Sequence, residues 1–231
     1  MATPQLRVSA PNRKRQILAV ATQLFARQGF SGTTTRQVAE RAGVNEALVF
    51  RHFPSKEELY WDVLESKILE AAPVERIGET LNSSPGLDVF ERLAYEILEL
   101  RAKDDTLSRL MLFSGLENHA LAQRFFGMHV ANYYDRLADH IESLMNDGLL
   151  RRADPLLAAR GFLGMVVYHS WIQDVFGGKH FRDYSLQEAS RTMAEIWLEG
   201  MRPHKVLARR GRGASAGKVK SGRGRSGHVH S

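Results

Sequence analysis

The sequence predicts an all-α protein built from two helical domains. Apolar residues recur at helical spacing along nearly the whole chain, few segments show the strict alternation of a strand, and clusters of helix breakers cut the chain into helix-sized lengths. At 231 residues, 43% hydrophobic and 25% charged, the composition is that of an ordinary soluble chain with room for two modest domains. The expected division is an arm over 1–11, a first domain over 12–62, a second over 63–201 and a basic tail over 202–231.

Residues 12–28 open the first domain as an amphipathic helix with Ile17, Ala21, Leu24 and Phe25 inward. Arg13, Lys14 and Arg15 stand near its start, where cations oppose the helix dipole. Either a phosphate sits nearby or this is a solvated basic end. Two short helices follow, joined by a tight turn. Val38, Ala39 and Ala42 give the first its apolar face, and Gly43 permits the left-handed conformation that the turn requires. Asn45 is a good N-cap for the second, whose Val49 and Phe53 point inward at i, i+4. Glu46, Ala47, Leu48, Phe50, Arg51 and His52 remain outward, a surface suited to groove edges and phosphates. Pro54 stops this helix. Ser55 caps a fourth, from Lys56 to about Ala72, with Glu58 at capping-box spacing, and Lys56 with the first amides forms a phosphate site.

Further helices are predicted at roughly 86–101, 105–116, 118–147, 154–176 and 185–201. Their breaks are Asn82-Ser83-Ser84-Pro85-Gly86, Lys103-Asp104-Asp105, Asn146-Asp147-Gly148 and Gly177-Gly178. The tail from about Arg209 lacks apolar periodicity and is expected to be disordered, like the arm.

From residue 12 to residue 60 the chain resembles the N-terminal domain of the tetracycline-repressor-like (TetR/AcrR) bacterial transcriptional regulators. The resemblance rests on Ile17, Ala21, Leu24, Phe25 and Gly29-Phe30, then Thr33-Thr34-Thr35-Arg36-Gln37-Val38-Ala39 and Ala42-Gly43-Val44. It continues through Phe50-Arg51-His52-Phe53 and Lys56-Glu57. Asn45 stands where Ser is usual, Ala47 where Gly is frequent and Phe50 where Tyr is usual. Asn45 can still cap, whereas Phe50 has no hydroxyl to donate to phosphate, so its contact should be apolar, against a thymine methyl. The resemblance implies a helix-turn-helix repressor that binds a palindromic double-stranded DNA operator as a homodimer and is released by a small-molecule effector. Arg36 and Arg51 are then expected at base edges or adjacent phosphates, and Thr34, Thr35, His52 and Lys56 on the backbone.

The same resemblance implies that the last two helices form a four-helix dimer interface. They carry Leu156, Leu157, Gly161, Leu163, Gly164 and Val167, then Met193, Ile196, Trp197 and Met201. Those faces serve either a dimer or the monomer core. An apolar effector pocket is also implied. Trp61, Leu64, Phe90, Met111, Phe125, His129, Tyr133, Tyr168 and Trp171 are the candidates for its wall, with plain core as the alternative for each.

Charge is segregated along the chain, with a net +4 over 1–62, −7 over 63–201 and +9 over 202–231. A basic head on an acidic body places DNA at the head. The chain has no cysteine, which excludes disulfides and Cys-based zinc sites and suits a reducing cytosol. No apolar leader is present, and the most apolar run, Gly161 to Tyr168, is too short to span a bilayer. A cytoplasmic protein without membrane contact is expected. His129 and His140 share a helix face but stand about 16 Å apart along it, too far for one metal ion. With no Walker loop, HExxH or G-x-S-x-G, no catalytic residue, metal or cofactor is expected. A constitutive, largely non-specific DNA-binding protein is the main alternative function, and an enzyme with a DNA-binding head the remote one.

Overall fold

The computed structural model describes residues 10–84, 86–117 and 120–203. Among them are eleven α-helices and no strand. The arm expected over 1–11 and the tail over 202–231 lie almost wholly outside the described residues. The first three helices are α1 (Ala10–Gln28), α2 (Thr35–Ala42) and α3 (Glu46–His52). The long α4 (Lys56–Ala71) leads on to α5 (Pro73–Ser83), α6 (Val89–Lys103), α7 (Thr106–Leu116) and α8 (Ala120–Phe125). A π-helical turn (Phe126–Val130) joins α8 to α9 (Ala131–Asn146). A second π turn (Trp171–Val175) extends α10 (Pro155–Ser170), and α11 (Leu186–Met201) closes the described fold.

The head is held by one apolar cluster. Ile17, Ala21, Leu24 and Phe25 of α1 meet Val38, Ala39 and Ala42 of α2, Val49 of α3, and Phe53. Phe25 and Phe53 are essentially inaccessible to water, and full burial of such a side chain contributes about 1.5–3 kcal/mol. This cluster does not stop at residue 62. It continues along α4 through Leu59, Tyr60, Val63, Leu64 and Ile68 and takes in Leu110, Phe125 and Val130 from α7, α8 and the first π turn. Tyr60 fixes the junction: its hydroxyl lies 2.6 Å from Ser114 Oγ and donates to the Leu110 carbonyl at 3.2 Å. Burial outweighs the Ser114 hydrogen bond and pushes the phenol up to about 12. The body has a second cluster, centred on Phe90, Phe162 and Trp197, whose ring centroids lie 4.4 to 5.5 Å apart.

Two features depart from the sequence reading. Helix α5 occupies a stretch the sequence left unassigned. Its Pro73 ends the preceding helix yet is also well suited to the first helical position. Ala72, at φ +42°, is at once the C-cap of α4 and the N-cap of α5. The other departure lies within the expected helices 118–147 and 154–176, each of which contains a π turn in place of a regular α-helical ladder.

Candidate nucleic-acid interface and ligand cavity

The three reading elements of the head are closed by local bonds. Thr34 caps α2 through a complete capping box: its side chain accepts from the Gln37 amide at 3.2 Å, and Gln37 Oε1 accepts from the Thr34 amide at 3.0 Å. The turn passes through Gly43 at φ +63°, ψ +37°, where its amide caps α2. Asn45 then caps α3, its Oδ1 accepting from the Leu48 amide at 2.8 Å. Ser55 caps α4 at Glu58 N at 3.1 Å. The reciprocal Glu58 bond of the expected box is not made among the described residues, so the full box stands at Thr34–Gln37 instead.

Helix α3 presents Ala47, Phe50 and Arg51 to solvent, with Phe50 44% exposed. Arg51 makes no ion pair among the described residues. Arg36 of α2 is exposed and tied to Glu40 at 3.0 Å by a bond that is itself exposed. Such a surface pair contributes only about 0.3–0.5 kcal/mol and restrains Arg36 little. Thr35 Oγ1 donates to Glu46 Oε1 at 2.5 Å, joining the first residues of α2 and α3, so a phosphate contact from Thr35 must exchange that bond. Leu48 is half-buried, and so is His52, whose Nε2 has no partner. The Lys56 ammonium stands 4.1 Å over the Phe30 ring, a cation–π contact at the start of α4.

In the body, residues of α4 to α10 and of both π turns line a cavity of about 420 Å³. Its apolar wall includes Ile68, Ile77, Ile97, Leu107, Leu163 and Val167. Of the nine candidates from sequence, Met111, Phe125, Tyr133 and Trp171 line it. The other five stand elsewhere, each for a visible reason. Leu64 points into the head cluster, and Phe90 is spent on Phe162 and Trp197. Trp61 is covered by the Arg124 guanidinium at 3.9 Å and flanked by Phe125 and His129. His129 turns its ring to that same aromatic group. Tyr168 is 62% exposed on the outer face of α10.

Charged groups concentrate at one end of the cavity. Lys67 holds Glu70 at 2.6 Å and Asp104 at 2.7 Å. Burial alone would depress the lysine and raise the aspartic acid. The hydrogen bonds outweigh it, raising Lys67 and, with help from Thr106, holding the Asp104 carboxyl down to about 2. Arg101 lies further in and donates to Ser108 Oγ at 2.6 Å.

At the far end of α7 stands a residue the sequence did not single out. Glu117 receives the backbone amides of Phe30, at 3.1 Å, and Ser31, at 3.2 and 3.4 Å. It clamps the loop that leads into the Thr34 cap. The same helix supplies Leu107, Ser108 and Met111 to the cavity, so α7 touches the cavity at one end and the loop between α1 and α2 at the other. Gly29, at φ +75°, passes so close that an added Cβ would stand 2.5 Å from Glu117 Oε1 and 2.8 Å from Phe113.

Comparison with known proteins gives this architecture a family. A profile described as bacterial regulatory proteins, tetR family, matches residues 17–63, and the AefR-like transcriptional repressor C-terminal domain matches 89–197. The nucleoid occlusion factor SlmA of Vibrio vulnificus is 30% identical over 167 residues, spanning 67% of this chain and 80% of that protein. The chain belongs to the TetR family. It is a DNA-binding transcriptional regulator, and the family and fold are not those of enzymes. Among solved structures, FadR from Bacillus subtilis in complex with stearoyl-CoA superposes with a TM-score of 0.65 at 19% identity, covering 81% of this chain and 98% of that one. FadR from Bacillus halodurans gives 0.63 at 20%, covering 81% and 99%. At these identities the likeness concerns the fold.

Within this family fold, the head corresponds to the N-terminal profile and α6 to most of α11 to the C-terminal one. No helix among the described residues is long and apolar enough to cross a membrane. Most of the cavity lining escaped the sequence reading, Arg101 and Tyr134 included. Arg101 was detectable: Leu93, Ala94, Ile97 and Leu98 form the inward stripe of α6, and position 101 continues it at i+4 from Ile97. A cation in an apolar register is a signal in itself.

Proposed function

We propose that the protein is a dimeric repressor that reads a palindromic operator through α2 and α3 and is released when a small apolar or aromatic molecule fills the body cavity. Arg36 and Arg51 contact base edges or neighbouring phosphates. Thr34, Thr35, His52 and Lys56 hold the backbone, and Asn45, Glu46, Ala47 and Leu48 set the approach of α3, with Phe50 against a thymine methyl. Two-fold symmetry in the protein matches two-fold symmetry in the operator.

The observation that carries the effector reading is the shared use of α4 and α7. Both helices line the cavity, and both reach the head, α4 from its Lys56 end and α7 through Glu117. A volume of about 420 Å³ is in the range that small-molecule sites occupy. A structural neighbour binds stearoyl-CoA, which supports a ligand role for this fold. Filling the cavity displaces α4 and α7, changes the separation of the two heads and misaligns one of them on DNA.

Dimerisation is supported by an apolar stripe that the monomer leaves outside. Leu157, Gly161, Gly164 and Tyr168 recur at i, i+4, i+7 and i+11 on α10, with Ile196 and Gly200 on α11. Leu157 is 68% and Ile196 59% exposed, and Gly164 and Gly200 have open space where a side chain would be. Leu163, Met193, Trp197 and Met201, in contrast, belong to the monomer core.

A second reading is a regulator that senses nothing. The relatives named as nucleoid occlusion factors favour it, as does the strongly basic sequence after residue 202. One experiment separates the two. An operator is selected from a random duplex pool, ligands are screened by thermal shift, and each hit is titrated against operator binding. Hits that weaken operator binding support the switch. Hits that stabilise the protein yet leave operator affinity unaltered support the constitutive reading.

A further inference from the structure

The cavity is apolar along most of its wall, but its interior holds a cation without a counter-charge. Arg101 projects from α6 into the lining, and burial lowers its guanidinium below the ordinary arginine value without discharging it. It makes no ion pair among the described residues, and its hydrogen bond is to the neutral Ser108 hydroxyl. Asp174 acts on it only at longer range and stands 3.6 Å from Lys179. The other charged groups of the lining are differently placed. Lys67 is neutralised by Glu70 and Asp104. Glu96 accepts the Thr80 hydroxyl at 2.6 Å, and Arg76, beside it, also faces a second, outer depression.

The same lining holds a second donor. Trp171 opens the second π turn and lines the same cavity, and its Nε1 is buried with no hydrogen-bond partner. The hydroxyl-bearing rings of Tyr133 and Tyr134 lie tilted with their centroids 5.0 Å apart, close enough to Arg101 for each to feel its charge. Their phenols are pushed upward by burial, so they remain neutral donors. An uncompensated guanidinium and an unpaired indole N–H are costly to bury unless something accepts their hydrogen bonds. The apolar wall meanwhile calls for hydrocarbon.

We propose that the effector is an amphipathic monoanion: its carboxylate, or an equivalent acidic head, accepts hydrogen bonds from Arg101 and Trp171 Nε1, and its hydrocarbon body lies along Ile97, Leu107, Leu163 and Val167. This rests on the reading of the cavity as an effector site and adds the chemical class of the ligand. The planar guanidinium suits a two-oxygen acceptor, which explains why an arginine stands at this depth.

The test uses the full chain with decanoate and decan-1-ol as matched probes, followed by isothermal titration calorimetry. Decanoate is expected to bind about 10-fold more tightly than the alcohol, the margin of a charge-assisted hydrogen bond. Arg101→Gln should abolish that preference while keeping the weaker binding of the alcohol. Trp171→Phe, which removes only the N–H donor and keeps an aromatic ring, should lower decanoate affinity and leave the alcohol unaffected, providing a check should Arg101→Gln fold poorly. Equal binding of the two probes, binding of neither, or a preference that survives both substitutions would overturn the assignment. Decanoate binding that depends on Arg101 but leaves operator affinity unchanged would uphold the head-group site and defeat the effector switch.

Discussion

Head and body are both helical and rich in buried aromatic side chains, yet different physics holds them. In the head, α2, α3 and α4 each begin on a side-chain cap, at Thr34, Asn45 and Ser55, and the turns at Gly29 and Gly43 are made by glycines in the conformation they favour. The body is looser: α10 and α11 begin on caps at Asp154 and Ser185, but α5, α6, α7 and α9 have no side-chain cap. Its two π turns interrupt regular ladders, and His129, His140, Trp171 and Gln173 each bury a side-chain polar atom without a partner. In the head only His52 does so among the described residues. A rigid, locally specified unit suits a reader that must present α3 at fixed geometry. A body with unsatisfied donors around a cavity suits a unit whose packing is completed by something else.

The largest expected effect breaks the body's proposed symmetry. Ile196→Glu alters an exposed side chain and should leave the monomer folded. It should turn a dimer into a monomer by analytical ultracentrifugation and lower operator affinity by about 10²–10⁴-fold, as two linked half-site contacts become one. An unchanged dimer would remove the α10–α11 stripe from the account.

Within the head, Arg51→Ala should weaken operator binding by roughly 1–3 kcal/mol and relax preference at one position per half-site. Lys56→Ala should instead weaken all duplexes alike and flatten the salt slope by about one. An operator-to-random affinity ratio that Arg51→Ala leaves intact would show that Arg51 is not a reader.

At the junction, Gly29→Ala forces a left-handed alanine into Glu117 and Phe113. Chemical denaturation should register a loss of about 1–3 kcal/mol, with operator affinity falling as well because the Thr34 cap follows directly. The smallest effect concerns Ala72, a non-glycine residue at φ +42°. Ala72→Gly relieves that strain against a modest entropic cost, for a net gain of about 0.5–1 kcal/mol. A destabilised Ala72→Gly protein would mean that the α4–α5 corner is not strained.

The same contrast explains what the sequence made legible. Gly43, Asn45, the inward pair Val49 and Phe53, and the stop at Pro54 act over a few residues, so the head could be read from local chemistry. The capping box was missed at Thr34–Gln37 and expected at Ser55–Glu58 because both pairs have the spacing, and only the folded geometry decides which side chain turns back. In the body, apolar periodicity located the helices, but a cavity is a failure of distant helices to fill space, and no single-helix pattern encodes it. Hence Phe90 and Leu64, large and inward like Met111 and Phe125, could not be told from wall residues. Glu117 was invisible for the same reason: its partners are backbone amides 86 and 87 positions away.

The central claim is that occupancy of the body is felt by the head through α7. Operator affinity with and without a saturating ligand from the thermal-shift screen, in the wild type and in Glu117→Ala, tests it most directly. The account predicts that ligand weakens wild-type operator binding by about 5–150-fold, and that operator weakens ligand binding by the same factor. In Glu117→Ala, ligand affinity for the free protein should be kept while that factor falls toward one. Full coupling in Glu117→Ala, or no ligand effect on the wild type, would contradict it.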